Sequence, residues 1–147
     1  MRVLFPVDGR ARTEAALDRG LGMLRSVPGL RVTLLNVMQA GFDKAGDPAY
    51  VEETFGADEE DQIFPTEESA RRALDRAAAI ARKHRVAAEP VVAEGNYVQA
   101  ILEAAKGHDL LMMHALGPSS LRDSLRGSHA EDIARKAPCA VMLVPEA

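Results

Sequence analysis

Two short segments of this chain carry residue types that can hold a phosphorylated ligand. Asp8-Gly9 follows the apolar run 3–7, and a carboxylate there can accept hydrogen bonds from ribose hydroxyls or an adenine amine. The second segment starts at His114, and nine residues separate Gly117 from Gly127-Ser128. A Gly-Ser pair at a helix start offers unpaired N–H groups and a hydroxyl to phosphate oxygens, and a glycine before it allows close backbone approach.

Each segment also has a plain structural explanation when it is taken alone. An Asp-Gly after a strand is often a turn, and a Gly-Ser before a helix is often a cap. Only a fold that brings the two segments together favours a binding site. The elements that would position them therefore decide the interpretation.

The hydrophobic pattern alternates between strands and helices along nearly the whole chain. Buried-strand runs are predicted at 2–7, 32–38, 88–93, 109–114 and 139–144, and helices at 12–26, 66–85, 96–106 and 127–136. This alternation predicts one α/β domain over residues 1–147, a doubly wound, Rossmann-like or flavodoxin-like parallel sheet with helices on both faces. Pro90 lacks an N–H for a ladder and therefore places the third strand at a sheet edge.

One segment, 39–64, interrupts this rhythm as a long acidic loop insertion. It holds eight acidic residues and a single base, Lys44. Its spacing does not fit an EF-hand, so a solvated, partly helical excursion is the better interpretation than a metal-binding loop.

In an open α/β sheet, ligands bind beyond the carboxyl ends of the strands where the strand order reverses. If the first strand is central, that crevice lies between the loop with Asp8 and the loop from 114 to 128. The joint placement favours a nucleotide pocket over two unrelated turns.

Composition narrows the function classes. The 147 residues have a net charge of -4 and show no basic stripe, which argues against a nucleic-acid surface. No apolar run approaches the roughly 18 residues of a membrane span. The lone Cys139 cannot form an internal disulfide and is expected to pack in the core. These features predict a cytoplasmic protein with no membrane or nucleic-acid partner.

The chain resembles the universal stress protein family, and the resemblance covers nearly its whole length. The ATP-binding branch of that family carries Gly-x2-Gly-x9-Gly-Ser/Thr, whose last three positions match Gly117, Gly127 and Ser128 at the same spacing. The other matching stretches lie in or beside the predicted strands and the third helix: 5–9, 32–37, 95–96, 100–102, 109–113 and 137–144.

The resemblance implies the strand order 3-2-1-4-5 and the binding of ATP, with or without Mg²⁺, in stress response or signalling. It also implies a homodimer through the last strand, at residues 140–145. Contacts to the nucleotide are implied for eleven residues of the two loops and the strand ends beside them. They are Pro6, Val7, Asp8, Gly9, Val37, Met113, His114, Gly117, Gly127, Ser128 and His129.

Two positions depart from the family pattern. The first glycine of the motif is His114 here, and the Ser that usually follows Asp-Gly is Arg10. A histidine at 114 either lines the pocket or closes it. Two hypotheses therefore stand: a nucleotide-binding stress protein with little or no catalysis, or a dimeric interaction module of the same family that binds no nucleotide.

The histidines offer a third, weaker hypothesis. His84 and His108 are predicted at the surface, whereas His114 and His129 would border the crevice. Slow phosphate hydrolysis or a metal site could use the latter pair. Their spacing matches no metal motif, and no nucleophile with a positioned base is evident, so we predict no catalytic and no metal-ligating residue.

Overall fold

The chain forms one sheet of parallel strands joined by helices, described here from a computed structural model that covers residues 1–38, 66–115 and 129–145. The acidic segment 39–64 and the Gly117 to Ser128 motif lie outside the described residues. The described elements are β1 (Arg2–Pro6), α1 (Ala11–Leu24), β2 (Arg31–Met38), α2 (Glu67–Lys83), β3 (Ala87–Glu94), α3 (Tyr97–Ala105), β4 (Leu110–His114), α4 (His129–Lys136) and β5 (Ala140–Val144).

The strand order is β3-β2-β1-β4-β5, and all pairings are parallel, which confirms the predicted topology. β1 lies in the centre and pairs with both β2 and β4. Its Leu4 is in register with Thr33 on one side and Leu111 on the other. β3 is an edge strand, as its Pro90 predicted.

Side chains of the strands alternate between two cores, one on each face of the sheet. Val3 and Phe5 face the core covered by α1 and α2, whereas Leu4 faces the core covered by α3 and α4. All three side chains are fully buried. The apolar run of β1 therefore reflects burial on both faces, as parallel strands require.

Two histidine predictions were wrong. The side chain of His84 is only 10% exposed, and its Nε2 lies 2.7 Å from Oδ1 of Asp18 on α1. His108 is half-buried, with its Nε2 2.9 Å from Oγ1 of Thr33 on β2. Both residues follow helices at the amino edge of the sheet, where packing against α1 and β2 shields them partly from water.

Helix α1 approaches the sheet closely at one glycine. A Cβ built on Gly20 would lie 2.9 Å from Cε of the fully buried Met112 and closer still to its Sδ. Gly22 lies one half-turn further on the exposed side, where the nearest atom to a built Cβ is Cε1 of His84 at 3.7 Å. The two glycines of one helix therefore have opposite surroundings.

We expect Gly20→Ala to lower the free energy of unfolding by about 1 kcal/mol, because the fully buried end of Met112 must shift to admit the methyl group, and this cost exceeds the helix-propensity gain of alanine. Gly22→Ala is the matched control and should raise it by about 0.5–1 kcal/mol, because alanine favours helix and finds ordinary contact there. Urea unfolding of both variants measures the difference. Equal changes in the free energy of unfolding at the two positions would contradict the close approach of α1 to Met112 at Gly20.

Candidate functional site

The central position of β1 places Asp8 between the carboxyl ends of its two neighbours. β1 ends at Pro6, and the buried Val7 leads to Asp8, whose side chain is exposed. β2 on one side continues to Met38, and β4 on the other ends at His114. The order of strands along the chain reverses at β1, so this is the crevice where open α/β sheets bind ligands.

Val7 is fastened to β2 by both of its backbone polar groups. Its N–H donates to the carbonyl of Leu35 at 2.7 Å, and its carbonyl accepts from Nδ2 of Asn36 at 2.9 Å. Sheet pairing therefore ends at Val7 with a side-chain amide in place of a ladder N–H. The chain leaves the sheet at a defined point.

The loop then turns on Gly9 and is closed by Asp8 itself. Gly9 has φ +79°, a backbone conformation that other residues rarely adopt. Oδ1 of Asp8 accepts a hydrogen bond from the N–H of Arg10 at 2.9 Å. One carboxylate oxygen thus orients the side chain, and the residue remains exposed at the carboxyl edge of the sheet.

Tyr97 was not singled out from the sequence, and it lies close enough to Asp8 for the charge of the carboxylate to act on its phenol. It is the first residue of α3, placed by the side chain of Asn96, which accepts from the N–H of Gln99 at 3.1 Å and caps the helix. Its ring packs with Val37 against the core under α3 and α4. Burial, and then the negative charge of Asp8, hold the pKa of the Tyr97 phenol well above its usual value, while Arg10 opposes them.

The alternation of β4 decides which face His114 occupies. Met113 packs in the core under α3 and α4, and Met112 packs in the core under α1 and α2. His114 therefore shares the face of Met112. Its half-buried side chain lies on the face opposite to Val37 and Tyr97.

Seven of the eleven residues predicted to contact a nucleotide lie at the carboxyl edge of the sheet in the described part of the chain. Pro6 and Met113 are buried, Gly9 is buried in the turn, Asp8 is exposed and Val37 is half-buried near the end of β2. Val7 is buried in the core under α1 and α2, and His114 ends β4 on that same face. Gly117, Gly127, Ser128 and the side chain of His129 lie outside the described residues.

Three further observations concern metal binding, thiol chemistry and membrane insertion. Within residues 1–38, 66–115 and 129–145, no three side chains of His, Cys, Asp or Glu converge in a way that could hold a metal ion. Cys139 is a free, half-buried thiol packed against the core under α3 and α4, and burial raises its pKa. Across the same part of the chain, no helix is long and apolar enough to cross a membrane.

Sequence reasoning missed Asn36 and Tyr97 as members of this site. Asn36 had a detectable signal. It is a polar residue on the same face of β2 as the buried Val32 and Leu34, where the period of two predicts an apolar residue. Tyr97 had none, since an aromatic residue after a helix cap is equally typical of core packing.

The fold and the placement of the crevice define a doubly wound α/β domain of the kind that binds ligands at its topological switch point. The model of the universal stress protein family matches residues 1–145. The chain belongs to the universal stress protein family.

Solved structures of several universal stress proteins have a similar fold. A universal stress protein in complex with cAMP is 21% identical, with a TM-score of 0.66 and coverage of 100% of this chain and 98% of that chain. The universal stress protein from Archaeoglobus fulgidus in complex with dAMP is 21% identical, with a TM-score of 0.64 and coverage of 98% and 97%.

A universal stress protein family protein from Arabidopsis thaliana with AMP bound is 13% identical, with a TM-score of 0.66 and coverage of 99% and 91%. Comparison with curated protein sequences gives no significant match. At these identities the structural likeness establishes the fold.

The raised pKa of Tyr97 predicts a pH dependence of stability. A phenol that resists ionisation in the folded state contributes stability that is present below 10.0, its ordinary pKa, and is lost progressively as the pH rises above that value. We expect the free energy of unfolding to fall less steeply with alkaline pH in Tyr97→Phe than in the wild type.

Asp8→Asn removes a negative charge beside the phenol and should lower the Tyr97 pKa, which also weakens this alkaline dependence. Urea unfolding at a series of alkaline pH values measures both effects. A wild-type slope in Tyr97→Phe would show that Tyr97 is not the group responsible.

Proposed function

We propose that this protein binds an adenine nucleotide, with ATP as the physiological candidate, in the crevice at the carboxyl edge of the sheet. The observation that carries the proposal is the exposed Asp8 carboxylate, held by Arg10 N–H at the switch point between β2 and β4. A fixed acceptor in this position suits the amine of adenine or a ribose hydroxyl.

The ligands of the similar structures support the base as the shared recognition element. cAMP, dAMP and AMP share adenine and a 5′-phosphoryl group, but dAMP lacks the 2′-hydroxyl and cAMP lacks a free 3′-hydroxyl. We therefore propose that a site of this kind recognises the adenine base more than the ribose hydroxyls. Val37 and Tyr97, which are half-buried against the core under α3 and α4, are the apolar and aromatic side chains that we propose such a base would contact.

The position of His114 favours an open pocket over a closed one. Its side chain lies on the α1 side of the sheet, and its backbone remains at the end of β4 as a glycine's would. We propose that phosphate groups reach Gly117, Gly127 and Ser128 ahead of α4, with His129 at its start and Mg²⁺ as a companion ion where ATP is bound. The nine-residue spacing in the sequence supports this assignment.

Binding without rapid turnover is the activity we propose, in a cytoplasmic stress-response or signalling role. In that role the nucleotide would act by changing the shape of the surface around the crevice. Nucleic acid and membranes are not among the proposed partners.

Isothermal titration with AMP, and with ATP and Mg²⁺, tests the binding. Asp8→Ala should weaken binding by about 1–3 kcal/mol, which is the scale of a hydrogen bond to a charged group. Asp75→Ala, which removes an exposed carboxylate from α2, is the matched control and should bind like the wild type.

The absence of heat with both nucleotides, together with no thermal-shift response, would overturn the proposal. That result would favour the alternative function, a dimeric interaction module of the same family that binds no nucleotide.

We also propose that the protein forms a homodimer by pairing β5 with its copy at residues 140–145. The two edges of the sheet support this choice by their contrast. β3 carries Pro90 and two glutamates along its length, features that discourage strand addition, whereas β5 carries no charge and exposes 46% of Leu143.

Leu143→Lys should shift the protein towards monomer in sedimentation analysis, because a charge on an edge strand opposes pairing. Val92→Lys is the matched control, since Val92 is 50% exposed on the opposite edge strand, β3. A wild-type protein that sediments as a monomer at micromolar concentration would contradict the dimer. Dissociation by Val92→Lys alone would place the interface on β3.

A further inference from the structure

We infer that Asn36 is the positioning residue of this site: its side-chain amide holds the backbone of Val7 and thereby aims Asp8 into the crevice. The consequence for affinity rests on the proposed nucleotide binding. The positioning itself is a property of the protein without ligand and can be tested there.

The geometry begins with the end of the β1–β2 ladder. The register pairs Pro6 with Leu35, after which the N–H of Val7 still donates to Leu35. The Val7 carbonyl accepts from Nδ2 of Asn36 at 2.9 Å. At the end of the ladder, the donor to the Val7 carbonyl is therefore the side-chain amide of Asn36 and not a backbone N–H of β2.

The burial of Val7 makes this bond necessary. Val7 is only 4% exposed, so its carbonyl has little access to water as a substitute partner. A buried carbonyl without a partner is costly, and the chain would rotate to find one. Without the amide of Asn36, the peptide between Val7 and Asp8 loses the contact that sets its orientation.

Asp8 is the residue next to that peptide and lies between two anchors. The Val7 backbone holds it on one side, and the Arg10 N–H to Asp8 Oδ1 bond at 2.9 Å holds it on the other. Gly9 between them is at φ +79°, so the turn itself offers little restraint. Rotation at Val7 would therefore change the direction of the carboxylate.

Thr33 provides a comparison within the same strand. It is also a half-buried polar residue of β2, and its Oγ1 lies 2.9 Å from Nε2 of His108. Thr33 lies near the amino end of β2, away from Asp8. Asn36→Leu removes the hydrogen bond to Val7, whereas the matched variant Thr33→Val removes a different side-chain hydrogen bond of β2. An effect seen only in Asn36→Leu is therefore due to the bond to Val7.

Amide hydrogen exchange on the ligand-free protein is the first test. In Asn36→Leu we expect the Arg10 amide to exchange roughly tenfold faster, because one hydrogen bond is about that factor in an opening equilibrium. Amides of the centre of β1 should keep their wild-type rates. Thr33→Val should leave the Arg10 amide unchanged, and wild-type protection of Arg10 in Asn36→Leu would overturn the inference.

A double-mutant cycle on AMP affinity is the second test. Asn36→Leu should weaken binding by roughly tenfold in the wild-type background and by little in the Asp8→Ala background, because it acts through Asp8. An equal loss in both backgrounds would mean that Asn36 does not act through Asp8. If the wild type binds no nucleotide, the proposed function fails, and hydrogen exchange alone decides the role of Asn36.

Discussion

The pairing of β1 with a neighbour on each side is the constraint on which the rest of this molecule depends. A strand bonded on both edges and buried on both faces must be apolar, and Val3, Leu4 and Phe5 are fully buried there. Because both faces of the sheet are apolar, the helices that connect the strands pack on both of them. A central strand also sends its trailing loop into the gap between the ends of β2 and β4, which makes that gap the place where ligand chemistry can develop.

The site formed there takes its parts from separate elements. Asp8 comes from the loop after β1, Asn36 from β2 and Tyr97 from the start of α3. Each is fixed by packing or hydrogen bonds that do not involve a ligand, so the carboxylate is oriented before anything binds. Preorganisation of this kind reduces the ordering cost of binding, which matters for a small ligand with few contacts.

The elements and their order could be predicted because they follow from local patterns. The apolar run of β1, the cap at Asn96 and the proline of β3 each depend on their immediate surroundings. The order of strands in the sheet was implied by the family resemblance, and the structure confirms it. The predictions for His84 and His108 were wrong because their burial comes from α1 and β2, which are distant in the sequence. Asn36 and Tyr97 were missed for the same reason, since their roles are defined by Val7 and Asp8.

The sequence by itself determined the fold class, the family and the identity of the residues that end each strand, since these depend on periodicity and on motifs read along the chain. Only the tertiary structure decided how those residues meet. Strand alternation put His114 on the α1 side of the sheet, away from Val37 and Tyr97, and the end of the β1–β2 ladder gave Asn36 its bond to Val7. Such contacts join residues about 30 to 90 positions apart, and no local pattern records them because they exist only once the sheet has formed.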